Sequence, residues 1–269
     1  MKMTFLILCV SSLLLGKTLT FQEQLKKHPQ TNPHAWRVRH RPKTAKNCTF
    51  LISFPRSGQH WMKNCIEIIT GTPIYSLVND YALQNPLNAS LDFRKPPCFV
   101  THFPNWVRGV PTDQNRLLII VRNYKECILR EAIANGAAFN FKKDERLLDL
   151  YASIIQCYDA WDPNQRLLLY YEDIITQPEK EMSELSAFLN GTQKQLDDFI
   201  KNYDSIQKLS CNYYQRLQSV EGGSITRGKT TIYHSIDLDA EKVKRFDATI
   251  KDRLGSELFD KYLSRYVVE

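Results

Sequence analysis

The chain has 269 residues, 43% hydrophobic and 24% charged, an ordinarily globular composition long enough for one large core. Its net charge of +7 and pI near 9.0 favour an anionic partner. No dense Lys/Arg run with interleaved aromatics is present, so the charge points to a small anionic ligand and not to nucleic acid. The N-terminus carries Lys2 and then an apolar run from Phe5 to Leu15. That run is shorter than the roughly 20 residues of a membrane span and suits a signal-peptide core. Residues 1–20 are therefore expected to be a signal peptide, with Thr18-Leu-Thr20 as cleavage site, or a short membrane anchor. Either places the chain in the secretory lumen, with the cytoplasm as the alternative, since Lys17, Lys26 and Lys27 follow the apolar run. Residues 21–46 read as a polar, basic stem, and 47–269 as the domain.

The domain opens on an apolar strand, Phe50 to Ile52, followed by the loop Pro55-Arg56-Ser57-Gly58. From Gln59 to about Thr70, apolar residues at Trp61, Met62, Cys65, Ile66, Ile68 and Ile69 fit a helix with one broad apolar face. Gly71-Thr-Pro73 ends it. Residues 74–97 are mixed, with loops at Asn85-Pro86 and Pro96-Pro97. Cys98 to Pro104 reads as a short strand with His102 at its C-terminal end, where ligands collect in open α/β sheets. Leu117 to Arg122 is a continuous apolar run, as a buried parallel strand needs, and a helix from Lys125 to about Ala134 follows.

Residues 144–161 have strong helical periodicity, and Leu167 to Asp173 reads as a further strand ending in acidic residues. Helices are expected from Pro178 to Asn190-Gly191 and from Lys194 to Lys201. Val220 to Ser235 is a polar, glycine-containing loop, and Ala240 to Tyr266 forms one or two amphipathic helices. Strands alternating with helices predict an α/β fold, a P-loop-like three-layer arrangement with a central, mainly parallel sheet. Six cysteines follow Cys9, none with metal-site spacing. An even number permits disulfides in a lumen, while Cys65 and Cys127 lie on apolar faces as core thiols. Glycosylation sequons occur at Asn47, Asn88 and Asn190.

The order strand, tight loop, helix aims backbone N–H groups of a helix N-terminus at an anion. Arg56 adds a guanidinium for phosphate or sulfate oxygens, Ser57 a hydroxyl donor, and Gly58 removes the Cβ that would hold a ligand off the backbone. The loop lacks the Gly-Lys-Ser/Thr ending of a Walker A motif, so no Lys plus magnesium-binding hydroxyl is supplied.

Ser53-Phe-Pro-Arg-Ser-Gly-Gln-His-Trp61 resembles the loop of the sulfotransferase family that binds the 5′-phosphosulfate of 3′-phosphoadenosine-5′-phosphosulfate, PAPS. Three further segments resemble that family in the same order, covering nearly all of residues 49–266. The resemblance implies that Arg56 contacts the phosphosulfate bridge and that Trp61 stacks on adenine. Val100-Thr-His-Phe-Pro104 is similar to the Lys-Thr-His-Leu-Pro segment, which makes His102 the catalytic base and leaves Val100 in place of the Lys. Ile120-Val-Arg122-Asn123 is similar to the segment whose Arg binds the 3′-phosphate, with Arg130 where a Ser is usual. Tyr171-Glu-Asp173 resembles a strand end common in the family, and Thr226-Arg-Gly-Lys229 resembles the late loop that closes over the 3′-phosphate, with Arg227 and Gly228 matching in kind, Thr226 in place of the first Arg and the second Gly missing. Gln59 and His60 replace small hydroxyl residues, as donors to the 5′-phosphate or, for His60, as an alternative base. The implied activity is transfer of the sulfuryl group to a hydroxyl or amine acceptor without a metal. The acceptor stays open between glycan, peptide, lipid and small molecule. The rival readings are a nucleotide-dependent phosphotransferase and an inactive nucleotide-binding protein of the same fold.

Overall fold

The first strand, β1 (Thr49–Ser53), is buried along its whole length because side chains on both of its faces are apolar. Phe50 and Ile52 enter one core cluster and Leu51 the other, the period-two alternation of a strand covered on both sides. The same split recurs in β4 (Arg116–Val121), where Leu117, Ile119 and Val121 oppose Leu118 and Ile120. A computed structural model describes residues 46–72, 74–76, 98–134, 139–208 and 239–267. Within it, β1 and β4 join β2 (Ile74–Ser76), β3 (Cys98–Thr101) and β5 (Arg166–Tyr170) in one sheet of order β2-β3-β1-β4-β5. Every pairing is parallel, with Ile52 opposite Thr101 on one side and Ser53 opposite Ile120 on the other.

Helices α1 (Gln59–Thr70), α5 (Pro178–Leu189) and α6 (Gln193–Lys201) cover one face. Helices α2 (Tyr124–Ala134), α3 (Glu145–Asp159), α7 (Ala240–Leu254) and α8 (Ser256–Tyr262) cover the other. This is the expected three-layer α/β arrangement. α1 ends where expected: Gly71 adopts φ 65° and its N–H donates to the Glu67 carbonyl at 2.9 Å.

Two elements differ from the sequence reading. β5 stops at Tyr170, and Tyr171–Thr176 forms a helix, α4, with Glu172 and Asp173 in its first turn. Carboxylates there are favoured by the helix dipole, so the acidic pair starts a helix instead of extending the strand. β2 was not foreseen, because three residues carry too little alternation to register. Arg227 and Gly228, residues 1–20 and the sequons at Asn88 lie outside the described residues. Cys65 and Cys127 are core thiols as expected; Cys48, Cys98 and Cys157 are also free. Among the described residues no helix is long and apolar enough to cross a membrane.

The C-terminal segment is locked to the elements that carry the site. Lys125, fully buried in α2, donates through Nζ to Asp247 Oδ1 of α7 at 2.6 Å and to the Tyr266 carbonyl at 2.7 Å. The Tyr124 hydroxyl donates to the same Asp247 oxygen. Arg265 grips Asp173 of α4 with two bonds of 2.7 Å, and the Tyr266 hydroxyl donates to Glu172 at 2.6 Å.

Candidate active site

All the described strands are parallel, so their carboxyl ends lie along one edge of the sheet. There β1 runs into the 54–58 loop, β3 into His102, β4 into Arg122 and β5 into Tyr171. The order of the sheet puts the loop between His102 on one flank and the Arg122 and Tyr171 pair on the other.

The loop turns on two left-handed residues, Arg56 at φ 70° and Gly58 at φ 88°. Such a turn curls successive N–H groups into a concavity, and α1 begins directly from Gly58 with no side-chain cap and no acid in its first turn. The capping position therefore offers the first turn of α1 no side-chain acceptor, and the dipole favours an anion there. Gly58 is required twice over. Its φ is one that residues with a Cβ avoid, and a Cβ would lie 2.6 Å from two ring carbons of Tyr171. Gly58→Ala is expected to cost about 1–2 kcal/mol in backbone strain alone, with displacement of Tyr171 added. Thermal unfolding measures this, and an unchanged melting temperature would show that the loop tolerates another shape.

Three guanidinium groups surround the loop, each seated by a carboxylate of α2. Arg56 Nε donates to Glu131 Oε2 at 2.8 Å. Arg122 donates to both Glu126 oxygens, at 3.3 and 2.5 Å, and through Nη1 to the Arg56 carbonyl at 3.0 Å. Arg130 pairs with Glu126 as well. Arg122 also lies over the Tyr171 ring, 4.2 Å from its centroid, and its own carbonyl accepts from the Tyr151 hydroxyl at 2.6 Å. Glu126 and Glu131 seat the three arginines, and Glu172, which accepts from the Asn123 N–H at 3.1 Å, adds a third carboxylate beside Arg122. The Arg122–Glu126–Arg130 ladder at i, i+4 spacing was legible in the sequence; the Arg56–Glu131 pair was not.

Ser57 is buried, its hydroxyl 3.3 Å from the Cys127 thiol, which burial pushes up to about 12 and so keeps protonated. The Gln59 amide is turned to the sheet, donating to the Thr101 carbonyl at 3.0 Å. His60 is exposed on the first turn of α1. Trp61 packs against Phe199 of α6 and Tyr203, with ring centroids 6.5 and 5.8 Å apart. Its indole Nε1 and the Ser53 hydroxyl are buried polar groups with no hydrogen-bond partner among the described residues. Orphaned groups of this kind cost about 1–3 kcal/mol each, and they flank the loop at both ends.

On the other flank, His102 Nδ1 lies 2.7 Å from the Ser53 carbonyl and 3.5 Å from the Gln59 amide nitrogen. The shorter contact decides the tautomer, because a carbonyl can only accept. Nδ1 therefore carries the proton, and Nε2 keeps its lone pair. Burial lowers the pKa of His102, helped by the charges of Lys63 and Arg56 and opposed by the Ser53 bond and Glu131. The imidazole is accordingly neutral and able to accept a proton below its ordinary pKa as well as above it. Beyond His102 the chain exposes Phe103 and Trp106, at 42% and 46%, an apolar surface that the sequence reading did not single out.

The sulfotransferase domain profile matches residues 46–258 of this chain. No curated protein matches the sequence. Among solved structures, the fold is similar to that of mouse sulfotransferase SULT7A1 complexed with PAP, at 16% identity and TM-score 0.55, over 81% of this chain and 90% of that one. It is likewise similar to retinol dehydratase in a complex with retinol and PAP, at 16% identity and TM-score 0.56, over 82% and 83%. At such identities the likeness establishes the fold.

Proposed function

Because the chain belongs to the sulfotransferase domain family, we propose that it moves the sulfuryl group of PAPS to a hydroxyl or amine acceptor by in-line displacement. The observation that carries this reading is the pairing of two features on adjacent strands. One is an uncapped, left-handed anion loop with three arginines, and the other is a neutral imidazole whose Nε2 is available to take a proton. The residues present fit the nucleotide: three arginines gathered at the loop for its phosphates, and a half-buried Trp61 beside the loop whose indole donor has no partner among the described residues. PAPS supplies the group transferred.

His102 removes the acceptor proton through Nε2, while the Ser53 carbonyl fixes the ring. Arg56 and the amides from Gly58 onward stabilise negative charge on the phosphate oxygen that leaves. Arg122 and Arg130 hold the 3′-phosphate, and Tyr171 braces both Arg122 and Gly58. The apolar Phe103 and Trp106 surface lies on the acceptor side of the base.

PAP, the nucleotide left after transfer, is expected to raise the melting temperature, whereas ATP with magnesium should do much less. Equal stabilisation by the two would favour the phosphotransferase reading. Product analysis with labelled PAPS and a panel of glycan, peptide, lipid and small alcohol acceptors then tests the transfer itself. A chain that binds PAP but sulfates none of these classes would be a binding protein of the same fold.

A further inference from the structure

The acidic pair that opens α4 is divided between two tasks. Asp173 clasps Arg265 with two bonds of 2.7 Å, and that clasp alone would dock the C-terminal turn, Ser264–Tyr266, on α4. Glu172 is used otherwise. Its Oε2 accepts from the hydroxyl of the buried Tyr266 at 2.6 Å, and its Oε1 accepts from the Asn123 N–H at 3.1 Å. The helix dipole explains why a carboxylate is favoured in this first turn. It does not explain why each oxygen of Glu172 meets a donor from a different distant segment.

The N–H that Glu172 holds belongs to the peptide unit joining Arg122 to Asn123. The carbonyl of that same unit accepts from the buried Tyr151 hydroxyl at 2.6 Å. Both polar groups of one planar peptide are thus gripped by side chains, one from α3 and one from α4. Arg122 stands on one side of this peptide, at the end of β4. On its other side Asn123 starts α2: its Oδ1 accepts from the Lys125 N–H at 3.1 Å and its carbonyl from the Cys127 N–H at 3.0 Å. α2 in turn carries Glu126 and Glu131, which seat the three arginines. The residue before Glu172 is Tyr171, whose ring centroid lies 4.2 Å from the Arg122 guanidinium. One dipeptide of α4 therefore meets Arg122 twice, at its guanidinium and at its backbone.

We propose that Glu172 is a positioning residue for nucleotide binding: anchored on Tyr266 of the C-terminal turn, it holds the Arg122–Asn123 peptide so that Arg122 is presented to the 3′-phosphate. The inference rests on the reading of Arg122 as the group that binds that phosphate. Glu172 acts through Arg122 and not by touching the nucleotide.

The test is calorimetric titration of the full chain with PAP and with AMP, the same nucleoside 5′-monophosphate without the 3′-phosphate. The unaltered chain should prefer PAP. Tyr266→Phe removes the hydroxyl and keeps the ring, and Glu172→Ala removes both bonds. Each should lower the preference for PAP over AMP by about fivefold or more, the scale on which residues coupled to a site act without touching its ligand. AMP affinity should stay as it is, whereas a role in stability alone would weaken both nucleotides alike or neither. Asp173→Asn loosens the same turn from α4 without reaching the peptide, and should keep the preference. If one of the first two variants does not fold, the other decides. A preference retained in either folded variant overturns the inference, as does an equal loss in Asp173→Asn, which would assign the effect to docking of the turn. An unaltered chain indifferent to the 3′-phosphate would sink the PAP reading and this inference together; one that prefers PAP as strongly as its variants do sinks this inference alone.

Discussion

His102→Ala is expected to lower kcat by about 10²-fold or more while leaving PAP affinity nearly unchanged, the usual consequence of losing a positioned general base. The structure separates the two effects. His102 sits on the β3 side of the loop, with its Nδ1 on the Ser53 carbonyl, while Arg122 and Arg130 cluster with Glu126 on the β4 side. Arg56→Ala should behave differently and lose both affinity and turnover, since its guanidinium meets charge that exists before transfer and grows during it. His60 is the rival base. It stands exposed on the first turn of α1, among the amides proposed to hold the nucleotide, so His60→Ala should damage binding too. If His102→Ala keeps its activity while His60→Ala abolishes turnover at unchanged PAP affinity, the base has been misassigned. The pH profile gives an independent check. Burial lowers the His102 pKa, the neutral ring is the active form, and so the acid limb of kcat/KM should fall below the ordinary histidine pKa of about 6.5.

Asp247→Ala should be the most damaging substitution for stability away from the site. It leaves Lys125, fully buried in α2, without its carboxylate, and an orphaned buried charge costs about 3–5 kcal/mol. Lys125 keeps the Tyr266 carbonyl and the Tyr124 hydroxyl as acceptors, which argues for the lower end of that range. For a domain of this size about 3 kcal/mol corresponds to a fall of roughly 6–12 °C in melting temperature. The exposed Lys194–Asp198 pair on α6 is the control, and Asp198→Ala should leave the melting temperature unchanged within error. Similar small losses in both variants would show that the clasp on α2 is not structural. Asp247 touches none of the site residues, so turnover below the unfolding range should persist.

Much of this protein is decided locally, and local order is what a sequence displays. The apolar runs Phe50–Ile52 and Leu117–Val121 could only be strands covered on both faces, because continuous apolar residues at period two leave no solvent side. The loop from Pro55 to Gly58 and the helix after it were legible for the same reason: the Pro-Arg-Ser-Gly run and the spacing from Trp61 to Ile69 are properties of a few adjacent residues, whereas the left-handed φ at Arg56 and Gly58 came only with the structure. Side-chain partners are another matter, because they join positions far apart in the chain. That Arg56 would be seated by Glu131, 75 residues later, depends on α2 crossing beside the loop, which no periodicity encodes. The assignment of the His102 proton depends on β3 lying next to β1, so that the Ser53 carbonyl meets Nδ1 across 49 residues. Spacing along the chain determined which elements form, and the parallel register of the sheet decided which charges meet, since electrostatic partnership depends on distance in space and not along the chain.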